Sequence, residues 1–326
     1  MPKLNHIQYA KAKTVLIEDS YSLSALEENS SFENLLQEYK NQFAYTKLKT
    51  FSFTKEGFLG LLLELRGSSI AISVGESQAL IDGAFLYESL GFEIIWLDLK
   101  KDGKVNLSKI KDKEIDFLFL SSYVMDTFVS IDLKEIKKQT NAKIISNSTA
   151  HHNSCSDVIY FDPYKLTGFN TNSVILFSDE TFELLPIGQI DSIACKLCFE
   201  SLLKKSFNKE VKRLFLDKLI TTFKDDIYFF VEPKDTLEYT LHFGLKGIKA
   251  RELIRTLALS EIYITNGEGC SLGLSKPSRI IQAMGYDEMT SRNSISLSFV
   301  DEIDEKEIDR VVRLMYLKYK QIRSLS

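Results

Sequence analysis

A regular alternation of short β-rich runs with helical segments, beginning at Leu48, constrains this chain most. Thr54-Lys55-Glu56-Gly57 leads into an apolar helix that ends at Leu65, and residues 69–74 form a β-rich run that stops at Gly75. Residues 78–90 carry a helical pattern stopped by Gly91, and 92–97 read as a strand. Further short apolar strands follow at 116–121, 143–146 and 158–161, with a helix at 133–139 between two of them. Strands that alternate with helices need crossover connections, which are right-handed and leave the strands parallel. The expected fold class is therefore α/β, with a mainly parallel sheet.

Past the apolar run at 174–177 the pattern changes. A long amphipathic helical region is expected from about 190 to 222, then strands at 227–231 and 238–243 and a helix at 250–259. A strand at 262–265, a helix at 278–284, a strand at 295–299 and a terminal helix at 305–324 complete the chain. The expected organisation is an N-terminal segment, 1–45, with an acidic helix near 32–43. A large α/β domain, 46–190, and a small α+β domain, 191–326, follow it.

The chain has 326 residues, 44% hydrophobic and 26% charged, enough for two domains that share a substantial core. A net charge of -4, with Lys and Arg spread along the sequence, gives no reason to expect a nucleic-acid surface. No apolar run is long enough to span a bilayer. Met1-Pro2-Lys3-Leu4-Asn5-His6 lacks the apolar core of a signal peptide, so a cytoplasmic protein with reduced thiols is expected. Cys195 and Cys198 have CxxC spacing inside a helical pattern, where cysteine serves as a small buried hydrophobe. A metal site would need His151, His152 and Cys155 to be brought close by the fold.

The run Thr265-Asn266-Gly267-Glu268-Gly269-Cys270-Ser271-Leu272-Gly273 presents a thiol between glycines. Lys276-Pro277-Ser278 then starts a helix, with Pro277 suited to its first turn, and Ala283-Met284-Gly285 closes it. This run resembles the active-site cysteine loop of cysteine desulfurases, in the class V aminotransferase superfamily of fold type I pyridoxal-phosphate (PLP) enzymes. Gly91 to Asp98 followed by Asp102-Gly103-Lys104-Val105-Asn106-Leu107 resembles that family's strand and turn. Asp157 to Gly168 takes the place of its Ser/Thr-Gly-His-Lys segment, with Lys165 and Gly168 in register. The resemblance runs from about residue 50 to the C-terminus. It implies a PLP-type fold with a smaller C-terminal domain, and PLP bound through a Schiff base on Lys165. It also implies cysteine as substrate, with Cys270 taking the sulfur as a persulfide and alanine released. A homodimer with active sites at the subunit interface and a protein sulfur acceptor follow from it too.

The same alignment of motifs shows departures. Asn147 stands where an aspartate pairs with the pyridine nitrogen, and a neutral amide stabilises a pyridinium less than a carboxylate does. Ser77 replaces the histidine that stacks on the ring. Tyr123-Val124-Met125-Asp126 replaces an asparagine-rich turn, and Asp162 and Tyr164 replace the Ser and His that help hold the phosphate. The arginine that grips the substrate carboxylate becomes Ser296, in Ser294-Ile295-Ser296. The candidate phosphate turn, Ser52 to Gly57, offers Thr54 and Lys55, and Thr54 reads equally as a simple helix N-cap. The candidate cofactor-binding residues are thus Thr54, Ser77, Asn147 and Lys165, with Lys165 and Cys270 as the catalytic pair. Three readings stand: a desulfurase-type enzyme, a non-catalytic dimeric relative with a binding or regulatory role, and a PLP enzyme in which Cys270 is incidental.

Overall fold

The computed structural model describes residue 4 and residues 30–112, 114–183, 190–204, 207–267, 276–299 and 303–325. The chain runs through α1 (Ser30–Phe43), β1 (Lys47–Phe51), α2 (Lys55–Glu64), β2 (Ile70–Ser73), α3 (Gln78–Ser89) and β3 (Ile95–Leu97). There follow α4 (Ser108–Asp112), β4 (Phe117–Phe119), α5 (Leu133–Lys137), β5 (Lys143–Asn147), β6 (Val158–Tyr160), α6 (Pro163–Thr167) and β7 (Ser173–Phe177). The second half adds α7 (Ser192–Leu203), α8 (Lys209–Phe223), β8 (Ile227–Tyr228), β9 (Thr240–Leu245), α9 (Ala250–Ala258), α10 (Arg279–Ala283), α11 (Glu288–Ser291), β10 (Ser294–Ser298) and α12 (Glu305–Arg323).

A seven-stranded sheet takes the order β1-β7-β6-β5-β4-β2-β3. From β3 to β6 every pairing is parallel, and β7 and β1 close one edge antiparallel. The fold class expected from the alternating pattern is the one observed. Alternation within each strand sends side chains to two covered faces. Ile70, Ile72, Phe119, Ile145 and Tyr160 meet Phe58 and Leu61 of α2 and Leu80 and Ile81 of α3. Ala71, Leu118 and Ile144 meet Ile110, Leu133 and Ile136 of α4 and α5. On the antiparallel edge, Ile159, Val174 and Leu176 meet Leu35 and Tyr39 of α1 and Cys195 and Cys198 of α7. Both cysteines are fully buried there, as small apolar residues on a helix.

The smaller sheet has the order β10-β9-β8, antiparallel throughout. Its outer face buries Leu241, Phe243, Ile295 and Leu297 against Phe215 of α8, Leu253 of α9 and Val312 of α12. Its other face carries Thr240, His242 and Gly244 opposite Ser298, Ser296 and Ser294. That face is also buried, although it is almost entirely polar. Phe230, Val231, Leu237 and Tyr239, with Ile280 and Met284, share a core cluster with Leu118 and Val129, so the two sheets are packed together.

Two local expectations change. The helical region expected over 190–222 is two helices, because Asn208 caps a fresh start by accepting the amide of Glu210 at 2.9 Å. α7 lies on β7 and α6, whereas α8 lies on α12. The strand expected at 262–265 appears only as isolated bridge positions at Tyr263 and Thr265, the latter paired with Ser296.

α2 and α3 approach through Gly83, where a Cβ would sit 2.8 Å from Phe58 Cβ and 2.9 Å from the Lys55 carbonyl. Alanine gains about 1 kcal/mol of helix propensity over glycine. Overpacking at a backbone contact costs about 1–3 kcal/mol. Gly83→Ala is therefore expected to lower stability by up to about 2 kcal/mol, read as a lower urea midpoint. A raised midpoint would show that the two helices part freely.

Candidate active site

The carboxyl ends of β2, β4, β5 and β6 lie side by side in the parallel part of the sheet, where ligands of open α/β folds bind. Each contributes a polar side chain just past its last residue or at it. β2 is followed by Glu76 and Ser77, β4 by Ser121, β5 ends on Asn147, and β6 leads through Asp162 into α6 and Lys165. Short α6 is built by its N-cap, since Asp162 accepts the Lys165 amide at 3.2 Å, Pro163 opens the first turn, and Gly168 ends it at φ 77°.

These residues form one hydrogen-bonded chain. The Ser121 amide donates to Glu76 Oε1 at 2.6 Å, and its hydroxyl donates to Glu76 Oε2 at 2.9 Å. Asn147 N–H donates to Ser121 Oγ at 2.9 Å, and Thr149 N–H donates to Asn147 Oδ1 at 2.9 Å. Asp162 N–H donates to Thr149 Oγ at 2.6 Å. The structure thus brings together Asn147, Lys165 and the segment that carries Ser77. Thr54 stands outside this chain as the exposed N-cap of α2, accepting the Gly57 amide at 3.3 Å. The adjoining Phe53 ring lies 6.2 Å from that of Tyr160. Cys270 lies outside the described residues.

Burial sets the electrostatics. It pushes the Lys165 amine down, against the raising effects of Asp162, whose Oδ2 is 3.7 Å from Nζ, and of Asp126. Burial likewise pushes Asp162 up, opposed by Lys165. Glu76 is pushed up to about 7 by burial, which outweighs its bonds from Ser121 and Tyr160 and the Arg279 charge. Burial also lowers His152, whose ring stands edge-on to Phe43 at 5.2 Å. The His151 carbonyl accepts the Ser122 hydroxyl at 3.0 Å.

Sequence reasoning missed Glu76, Ser121, Thr149 and Arg279 as site residues, and it named Asp126 only within a replaced turn. Glu76 had a signal, an acid directly after an apolar strand and beside Ser77. For Asp126 the turn was legible but its partners were not, because Ser278 and Ser296, which donate to it, are 152 and 170 residues away in the chain. Arg279 reaches across from α10 to donate to Gln78 Oε1 at 2.9 Å and to the Val74 and Glu76 carbonyls.

Four buried polar atoms at this lip, Ser77 Oγ, Thr127 Oγ, Asn147 Nδ2 and Ser148 Oγ, have no hydrogen-bond partner among the described residues. An orphaned buried donor costs about 1–3 kcal/mol, which a bound polar group would recover. The Asn147 amide donor suits an unprotonated ring nitrogen, and the desolvated Lys165 amine suits an aldehyde, so the residues fit PLP at these two points.

Glu76 makes the site pH-sensitive. The folded carboxyl keeps its proton up to about 7, whereas an unfolded one loses it near about 4.3. Between those values the folded state holds the extra proton, so stability falls as pH rises. Glu76→Gln is expected to flatten that fall, on the order of 2–3 kcal/mol, in urea unfolding compared at pH 5 and pH 8. An unchanged slope would locate the titrating group elsewhere.

No family model matches the chain. It is similar to "Cysteine desulfurase IscS" of Pasteurella multocida, 22% identical over 299 residues that cover 80% of this chain and 72% of the relative. The IscS of Dechloromonas aromatica is 27% identical over 146 residues, 44% of this chain and 35% of that protein. Among solved structures, a "NifS-like protein" superposes with a TM-score of 0.69 at 13% identity, covering 89% of this chain and 87% of its own. The NifS-like protein of Rickettsia africae gives 0.67 at 15% identity, covering 90% and 91%. A structure described as SspA in complex with cysteine gives 0.68 at 12%, covering 92% and 99%. The sheet order and these likenesses agree: the chain is similar in sequence to cysteine desulfurases and has the fold of the NifS-like structures, consistent with a divergent cysteine desulfurase-like relative.

Proposed function

We propose that the chain is a PLP-dependent enzyme of the cysteine desulfurase type, in which Lys165 holds the cofactor and Cys270 takes the sulfur. The observation that supports this most is the desolvated Lys165 amine at the carboxyl lip of the parallel sheet. Burial enlarges the neutral, nucleophilic fraction of that amine. Asn147 would donate to the ring nitrogen without bringing a negative charge, and Ser77 would offer a hydrogen bond in place of a stacking face. Thr54 stands at the candidate phosphate turn. When bound, PLP supplies an electron sink for the substrate's Cα. Cys270, as a thiolate, attacks the sulfur of the held cysteine. An S–S bond forms as the C–S bond breaks, the electron pair stays on carbon, and alanine leaves after protonation. A protein acceptor then removes the persulfide sulfur. The reducing, cytoplasmic setting proposed for the chain keeps the thiol available.

The division into units 46–190 and 191–326 belongs to this proposal, with α7 returning to pack on the larger one. So does a homodimer. Tyr164 and Phe169, 39% and 43% exposed, flank Lys165 on the chain, and Ile193 and Leu203 of the neighbouring α7 are exposed as well. Light scattering at micromolar concentration is expected to return twice the 37.3 kDa chain mass. A single-chain mass counts against the dimer.

A second reading, a non-catalytic relative, is favoured by one observation: Asp162 lies within ion-pair distance of the Lys165 amine. Wild-type protein mixed with PLP and desalted is expected to keep a visible absorbance band and to yield a borohydride-trapped adduct on Lys165. Lys165→Ala is expected to lose both. Cys270→Ser is expected to keep the colour and lose sulfide release from cysteine, while wild-type turnover is slow. A colourless wild type with no trapped adduct leaves the second reading.

A further inference from the structure

Among the described residues three acids are buried, Glu76, Asp126 and Asp162, and all three stand at the rim. They are held differently. Both oxygens of Glu76 accept from Ser121, and the Asp126 carboxylate accepts the Ser278 hydroxyl at 2.7 Å. The Asp162 carboxyl divides its contacts. Oδ1 accepts the Lys165 amide at 3.2 Å as the cap of α6, and Oδ2 lies 3.7 Å from Lys165 Nζ. The Asp162 N–H donates to Thr149 Oγ at 2.6 Å, and Pro163 follows with its restricted φ, so the backbone that carries the carboxyl is pinned on both sides. The side chains of Lys165 and Asp162 are only 9% and 10% exposed.

A charge pair in a dry interior loses solvation on both partners. Burial pushes the Asp162 acid up and the Lys165 amine down, against their mutual attraction. The ion pair, with the proton on nitrogen, and the neutral pair, with the proton on oxygen, are thereby drawn together in free energy. Other titratable groups face this pair. Asp126 raises the Lys165 amine, less strongly than Asp162 does. The Tyr123 and Tyr160 phenols feel the Asp162 charge, and burial pushes both up, so they keep their protons at neutral pH.

We propose that Asp162 is the proton-transfer partner of Lys165 in the capture of an aldehyde, so that their contact serves the chemistry of the amine and does not lock it. The proposal rests on the reading of Lys165 as the residue that receives a carbonyl. With the proton on Asp162, the neutral amine attacks the carbonyl carbon. An N–C bond forms, and the displaced electron pair goes to oxygen, which takes the Asp162 proton. The Asp162 carboxylate then takes a proton from the cationic nitrogen and passes it to the hydroxyl. The C–O bond breaks, water leaves, and the nitrogen lone pair closes a C=N bond that keeps a proton on nitrogen. The protons of the amine and of the acid are all accounted for in water and in the protonated C=N group, and Asp162 ends as its counter-ion.

The test probes Lys165 of the full, cofactor-free chain with two small reagents at one neutral pH. Pyridine-4-carbaldehyde, trapped with cyanoborohydride, reads C=N formation and carries no phosphate for a charge at position 162 to act on. Acetic anhydride needs only a neutral amine. Both adducts are read on the Lys165 peptide by mass spectrometry. Asp162→Asn keeps a good helix cap and removes the carboxyl proton. It is expected to slow C=N formation about a hundredfold. It is also expected to speed acetylation about tenfold, because the amine loses a carboxylate that favours its charged form. A purely structural role would move both rates the same way. Asp162→Ser, also a cap former, is expected to show the same opposed changes. C=N formation that is unchanged or faster in both folded variants overturns the proposal alone, as does a parallel fall of both rates. An acetylated wild-type Lys165 that gives no aldehyde adduct overturns the carbonyl reading of the lysine, and this proposal with it.

Discussion

Ser121 is held at both of its donors by one carboxyl group, and the rest of the candidate site is strung from it. Its amide and hydroxyl donate to Glu76, and its oxygen accepts the Asn147 amide, so the ends of β2, β4 and β5 are tied in sequence. Through Thr149 and Asp162 the same chain reaches Lys165 on α6. Every member is buried, and in a low-dielectric interior such bonds are stronger and costlier to break than at the surface. The network makes four separate strand ends into one rigid rim.

That rim carries more charge than a core normally tolerates. Lys165 is set against Asp162 and Asp126, and Arg279 bridges from α10 to the loop that holds Glu76 and Ser77. Ion pairs of this kind are weak sources of stability, because desolvation offsets most of their attraction. Their value here is positional. Arg279 and Asp126 each join the small sheet's neighbourhood to the large sheet by directional hydrogen bonds. The apolar cluster shared by Phe230, Ile280 and Leu118 supplies the less directional part of the same contact. On the polar buried face of β9 and β10, Ser296 donates to the Asp126 carbonyl, and Ser278 of the adjoining α10 cap donates to the Asp126 carboxylate.

The departures from the family pattern are therefore not scattered losses. Asn147 ties the strand ends together, its backbone N–H donating to Ser121 Oγ and its side-chain oxygen accepting the Thr149 amide. Asp162 caps α6 and orders Lys165 even as it places a carboxylate near the amine. Ser296, which stands where the resemblance expects a cation, donates a hydrogen bond to the Asp126 carbonyl. In each case a residue that departs from the resembled pattern meets a local hydrogen-bonding requirement of the fold.

The α/β class, the parallel sheet and most element positions were legible in the sequence. Apolar period-2 runs and helical patterns are local properties, and Gly75 and Gly91 mark where they stop. Lys165 was legible because a short motif surrounds it, and Ser77 and Asn147 because they follow recognisable strands. What the sequence could not display was Asp126 meeting Ser278 and Ser296, Arg279 meeting Val74 and Glu76, or Ser121 between Glu76 and Asn147. Those contacts join residues 26 to 205 positions apart, and no local pattern encodes a pairing that only chain folding creates. The break between α7 and α8 was missed because an amphipathic pattern continues across it, while the Asn208 cap decides where a helix restarts. By itself the sequence determined the class of fold and singled out Lys165 as the candidate lysine. The tertiary structure decided which charges surround that lysine, because burial and neighbouring acids set an amine's chemistry and both exist only once the two sheets have met.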